Sequence, residues 1–154
     1  MFGRIVRSVD FERVLRCPAR ASTPHFALHF LSARPTPAGG GPRKRERDEL
    51  STGKLRLSPP PVDDSAERTA PMPDSRWLGM VIPKRHARRA VTRSLLKRQI
   101  RAALGRQEGS LEPGLWVVRL RSAFDRATYR SAASPALAGA AREELAMLLA
   151  RASR

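Results

Sequence analysis

Ten basic residues and no acidic one lie between Ser75 and Gln107: Arg76, Lys84, Arg85, Arg88, Arg89, Arg93, Lys97, Arg98, Arg101 and Arg106. They supply +10 of the formal net charge of +16, while the other segments are close to balanced. Charge this dense repels itself unless something anionic neutralises it, and a polyphosphate backbone is the commonest partner. The same stretch is amphipathic. It therefore reads as folded protein with a charged face for nucleic acid, not as a loose basic tail.

A helical pattern runs over 88–104, with Leu96, Ile100, Ala103 and Leu104 as the buried stripe and Gly105 as the C′ residue. Arg93, Lys97 and Arg101, spaced i, i+4, i+8, line the adjoining edge, with Ser94 and Arg98 beyond them. A solvated helix face would normally interleave Glu or Asp to form i, i+4 pairs, and none is present here. Side chains in such a row reach successive phosphates of one strand or groove, which positions a protein on nucleic acid without reading its sequence.

The arginine excess, 26 Arg against only Lys44, Lys54, Lys84 and Lys97, partly reflects composition and is not by itself a sign of binding. The disappearance of acids from one window is the informative part. One cysteine, Cys17, rules out an intrachain disulfide and a Cys-rich metal site. No run of 18 apolar residues suggests a membrane span, and Arg4, Arg7 and Asp10 interrupt the N-terminal apolar start, so a cytoplasmic protein is expected.

Elsewhere the chain reads as short, alternating elements. Val9, Phe11, Val14 and Leu15 suit a short helix, capped by Ser8 or Asp10 and ended by Cys17-Pro18. After a polar turn, residues 25–31 alternate as a strand, with Phe26, Leu28 and Phe30 on one face and His25, Ala27, His29 and Leu31 on the other. Residues 77–82 and 115–120 are further strands, the second after the turn signal Glu112-Pro113-Gly114. An Ala-rich helix over 135–152 has Leu137, Ala141, Leu145, Leu148 and Leu149 on its core face. Eight of the thirteen prolines and the triplet Gly39-Gly40-Gly41 fall in 32–75. That segment has no aromatic residue and nearly balanced charge, which makes it a disordered insertion. Its Arg43-Lys44-Arg45 and Arg47 alternate with Glu46, Asp48 and Glu49 as a solvated cluster. Residues 1–31 and 76–154 would then form one RNA-binding domain. The expected architecture is α+β, a single small mixed sheet with packed helices.

The run from Arg76 to Arg85 (RWLGMVIPKR), followed by the run from Ala90 to Arg101 (AVTRSLLKRQIR), resembles the signature of the bacterial ribonuclease P protein subunit. Arg76, Gly79, Val81, Lys84, Ala90, Val91, Arg93, Lys97, Arg98 and Arg101 match that motif. Ser94 stands where the motif has Asn, Pro83 replaces Ser, Arg85 replaces Lys, and Cys17-Pro18 lies where glycine is common. The resemblance extends to the first helix, the strand at 25–28, the last strand and the last helix. It covers about 110 residues and leaves out the insertion.

This resemblance implies a ribosomal protein S5 domain 2-like fold and a role in endonucleolytic removal of the 5′ leader from precursor tRNA. It further implies a partnership with the ribonuclease P catalytic RNA, one protein per RNA, with Mg²⁺ held mainly by the RNA and no catalytic residue on the protein. The implied RNA-binding residues are Lys84, Arg85, Arg89, Arg93, Ser94, Lys97, Arg98 and Arg101. Phe11 and Phe26 are the candidates for a leader-binding cleft, where each could instead fill the core. Consistent with a non-catalytic role, the sequence shows no paired carboxylates, ligand cluster or nucleophile–base pair; His86, set among arginines, suits solvent or phosphate. Other classes remain: a general RNA-binding or ribosome-associated basic protein, a nuclease in its own right, and a DNA-binding regulator.

Overall fold

The computed structural model describes residues 1–37 and 73–153. Two strands form where the sequence reading expected none. They are β1 (Gly3–Arg4) and β2 (Ala19–Ser22), at opposite edges of a five-stranded sheet of order β1-β4-β5-β3-β2. The inner strands are β3 (Phe26–Leu31), β4 (Arg76–Val81) and β5 (Gly114–Leu120). β5 pairs parallel with β4 and antiparallel with β3, so the sheet is mixed. Neither edge strand carries a run of apolar alternation, which is why composition missed them.

Helix α2 (Ala90–Arg106) is the crossover between parallel strands β4 and β5, and α3 (Pro135–Ala152) packs beside it. Together they cover the face that bears Phe26, Leu28, Leu78, Trp116, Val118 and Leu120. Leu96, Ile100, Ala103 and Leu104 of α2 are buried there, as are Leu137, Ala141, Leu145, Leu148 and Leu149 of α3. Helix α1 (Ser8–Arg16) covers part of the other face, where Val14, Phe11 and Leu15 pack with Ile5, Trp77, Leu115 and Val117. The period-2 split of β3 thus separates two cores.

Several boundaries differ from the sequence expectation. Neither Ser8 nor Asp10 caps α1; Arg7 occupies the N-cap without a side-chain bond. Asp10 turns inward and is fully buried. Its carboxylate accepts from the Thr36 amide at 3.0 and 3.1 Å, from the Thr36 hydroxyl at 2.6 Å and from Arg13 at 3.2 Å. Residues 32–36 therefore pack with the same compact unit as α1. Arg34 and Asp74 form an ion pair at 3.4 Å that brings the two flanks of the insertion together. The remaining expectation of disorder, with the cluster around Arg43, lies outside the described residues.

Gly105 lies inside α2, which continues to Arg106, and the cap is Gln107. Gly114 does match its turn signal. Its φ of +144° is a conformation that L side chains rarely adopt, and a Cβ there would stand 2.7 Å from the Leu31 carbonyl oxygen. At the β2 edge, Arg20 donates to the Ala152 carbonyl at the end of α3 (2.9 Å) and pairs with Glu112. Its guanidinium also lies over the Phe30 and Trp116 rings, 5.1 and 5.5 Å from their centroids. A cation at a helix C-terminus and over aromatic faces ties sheet, turn and helix together.

Candidate nucleic-acid interface

The buried stripe of α2 leaves its basic residues no route but outward. Lys97, Arg98, Arg101 and Ser94 are exposed on the helix, as are Lys84, Arg85 and Arg89 before it. None of these cations forms an ion pair among the described residues. The helix has no acid in its first turn and no capping side chain, so its positive N-terminal end adds to the field. Rows of four-residue spacing advance about 6 Å per step along the axis, so the exposed Lys97 and Arg101 lie in line along one side of α2.

Arg93 behaves differently. It is half-buried, and its guanidinium donates to the carbonyls of Ala87 (2.9 Å) and Arg88 (2.7 Å). The segment 83–89 is also closed by amides of His86 and Ala87 donating to the Pro83 carbonyl. Arg93 therefore holds the loop that presents Lys84, Arg85 and Arg89. His86 takes part locally, its Nε2 accepting from Arg85 Nε at 3.1 Å.

An open groove of about 490 Å³ runs between α1 and α2 at the end of β4. Phe11 forms one wall, Ile82 and Lys84 the end, and Arg93 and Lys97 the other wall. The half-buried ring of Phe11 thus meets the basic helix, as a stacking surface beside phosphate-binding cations would require. Phe26 does not join it. That ring is fully buried under the helix-covered face, 5.9 Å from the Phe124 ring, so it fills the core and has no free face for a base. Leu28 and Phe30 share its face of the strand.

The sequence reading missed Arg119. It follows Leu115 and Val117 at period two, which puts it on the α1 side of the sheet, and it pairs in register with Val81 at the groove. That alternation was the available signal. Arg126 and Arg130, close to the basic loop in space, are some 40 residues away in sequence and carried no local signal.

Among the described residues, no group of three or more His, Cys, Asp or Glu side chains is placed to hold a metal ion. No helix among them is long and apolar enough to cross a membrane.

A family model described as Ribonuclease P matches residues 2–142. The ribonuclease P protein components of Burkholderia mallei (strain SAVP1) and Burkholderia pseudomallei (strain 668) are each 42% identical over 77 residues, covering 50% of this chain and 57% of theirs. That of Paraburkholderia xenovorans (strain LB400) is 40% identical over 79 residues, covering 50% of this chain and 55% of its own. The chain thus spans a little over half the length of the curated relatives it matches. The family match takes in the groove, the loop at 83–89 and all of α2, and the chain belongs to the ribonuclease P family.

Proposed function

We propose that this chain is the protein subunit of ribonuclease P. In this reading it binds the catalytic RNA through Lys84, Arg85, Arg89, Ser94, Lys97, Arg98 and Arg101, with Arg93 positioning the loop. The 5′ leader of precursor tRNA lies along the groove at Phe11, and the RNA carries out the endonucleolytic cut. The observation that carries this reading is the groove itself, which joins one aromatic face to the basic helix with no acid in its lining.

Base stacking on a single ring tolerates any leader sequence, and cations fixed on a rigid helix neutralise phosphates at little ordering cost. The Mg²⁺ of the reaction is assigned to the RNA. One protein would serve one RNA, in the cytoplasm, with screening of phosphate repulsion lowering the Mg²⁺ concentration the RNA needs.

The test is reconstitution with a bacterial ribonuclease P RNA at low Mg²⁺. Leader removal should become dependent on added protein, and the protein alone should cut nothing. Cleavage by protein alone, or equal binding to random RNA, overturns the reading.

A further inference from the structure

Five arginines that belong to two distant stretches of sequence converge on one pocket of about 270 Å³. Arg85, Arg88 and Arg89 come from the loop before α2, and Arg126 and Arg130 from the loop after β5. All five are exposed, and none forms an ion pair among the described residues. No acidic side chain lines the pocket. The nearby Asp125 carboxylate is turned to its own loop, accepting from the Ala127 amide (3.0 Å) and the Thr128 hydroxyl (2.7 Å), bonds that hold its pKa below the usual range.

The two loops are fixed relative to each other. The Thr92 hydroxyl, in the first turn of α2, donates to the Ala132 carbonyl at 2.8 Å. The Asp125 turn continues with the Tyr129 amide donating to the Asp125 carbonyl at 2.9 Å, which presents Arg126, Tyr129 and Arg130 together. Like charges gathered around one pocket repel, and an anion bound in the pocket relieves that repulsion.

We propose that this pocket is a second RNA-phosphate site, which takes a backbone phosphate of the strand lying on α2, with the half-buried Tyr129 ring available to an adjoining base. The proposal rests on the RNA-binding reading above. Guanidinium forks match phosphate oxygens in pairs, and Arg85 and Arg89 are shared with the α2 surface, so one strand reaches both. An acidic peptide would find the same charge but no reason for continuity with that helix.

The experiment titrates the full chain with a bacterial ribonuclease P RNA over a KCl series, comparing three double variants. In the first, Arg126→Ala with Arg130→Ala should weaken binding about tenfold near 0.1 M salt and lower the slope of log K against log salt by about 1–2. The second, Lys97→Ala with Arg98→Ala, reports the α2 face, and the third, Arg16→Ala with Arg142→Ala, reports net charge alone. Loss in the second variant but not the first overturns the pocket and spares the RNA-binding reading; loss in neither overturns that reading itself. Equal loss in the first and third overturns the pocket as a site. Millimolar inorganic phosphate, followed by amide resonances of 85–89 and 126–130, separates a free-anion site from one on an RNA chain. Shifts with phosphate, combined with unchanged RNA binding in the first variant, overturn the proposal.

Discussion

The ring of Phe11 occupies the place where a side chain on Gly79 would begin: a Cβ there would stand 2.9 Å from Phe11 Cζ. The absence of a side chain at Gly79 is what lets the ring approach β4 closely beside the groove. Gly79→Ala should therefore lift the ring, at a cost of about 1–2 kcal/mol in urea unfolding. In a Phe11→Ala background the same change should cost at least about 1 kcal/mol less, since the two residues share one volume. Additive costs would show that the ring is not what Gly79 accommodates.

Arg93 matches the motif as an RNA contact, yet its hydrogen bonds go to the loop at 83–89. Arg93→Ala should expose the amides of His86 and Ala87 to hydrogen exchange and destabilise the chain by about 1–3 kcal/mol. Lys97→Ala and Arg98→Ala, both exposed, should leave stability within about 0.5 kcal/mol and act on the salt dependence of RNA binding instead. If all three behave alike in exchange and unfolding, Arg93 has no positioning role.

The contrast between these residues shows what the sequence could carry. Helices α2 and α3 announce themselves because their burial follows one clean period, and the charge on α2 follows from the same wheel; strands β3, β4 and β5 announce themselves as compact apolar runs, with β3 and β5 buried along most of their length. Edge strands β1 and β2 gain their order from pairing with a neighbour, a tertiary effect without a local pattern. Asp10 looked like a capping residue because acids favour first turns, but a carboxylate with three donors from Thr36 and Arg13 is better satisfied inside. Phe11 and Phe26 have the same side chain and a similar apolar setting. Only the folded sheet, with one face closed by two helices and the other partly open, tells them apart. Arg126 and Arg130 needed the fold for the same reason, since proximity across 40 residues leaves no mark on spacing.

Asp10 also makes a prediction about the start of the insertion. Asp10→Ala removes the acceptor for the Thr36 amide, the Thr36 hydroxyl and the Arg13 guanidinium, and should cost about 2–4 kcal/mol. Limited proteolysis should then cut readily at 32–37, while the wild-type chain should resist cleavage there. Asp10→Asn, which keeps one acceptor oxygen, should fall between the two. Unchanged protection in Asp10→Ala would mean the segment is held by other contacts.

Glu144 on α3 gives the fold a defined response to acid. Burial favours its neutral form, but hydrogen bonds from the Thr23 hydroxyl, the His25 amide (2.6 Å) and the His25 ring (2.7 Å) outweigh it and hold the pKa below the ordinary carboxylate value. The His25 ring in turn stacks on Phe124 at 4.0 Å, so the carboxylate anchors β3 and the loop after β5 to the helix. A carboxyl group with a lower pKa in the folded state contributes stability that is complete above its unfolded pKa and is lost as pH falls through the folded one. Wild-type stability should therefore hold from neutral pH down to about 5 and then decline toward strong acid. Glu144→Gln should be less stable by about 1–3 kcal/mol at pH 7, with the gap to wild type narrowing below about pH 4. Thermal unfolding of both chains across pH 3–7 measures this; a gap that stays constant with pH would show that the charge of Glu144 is not what its three donors stabilise.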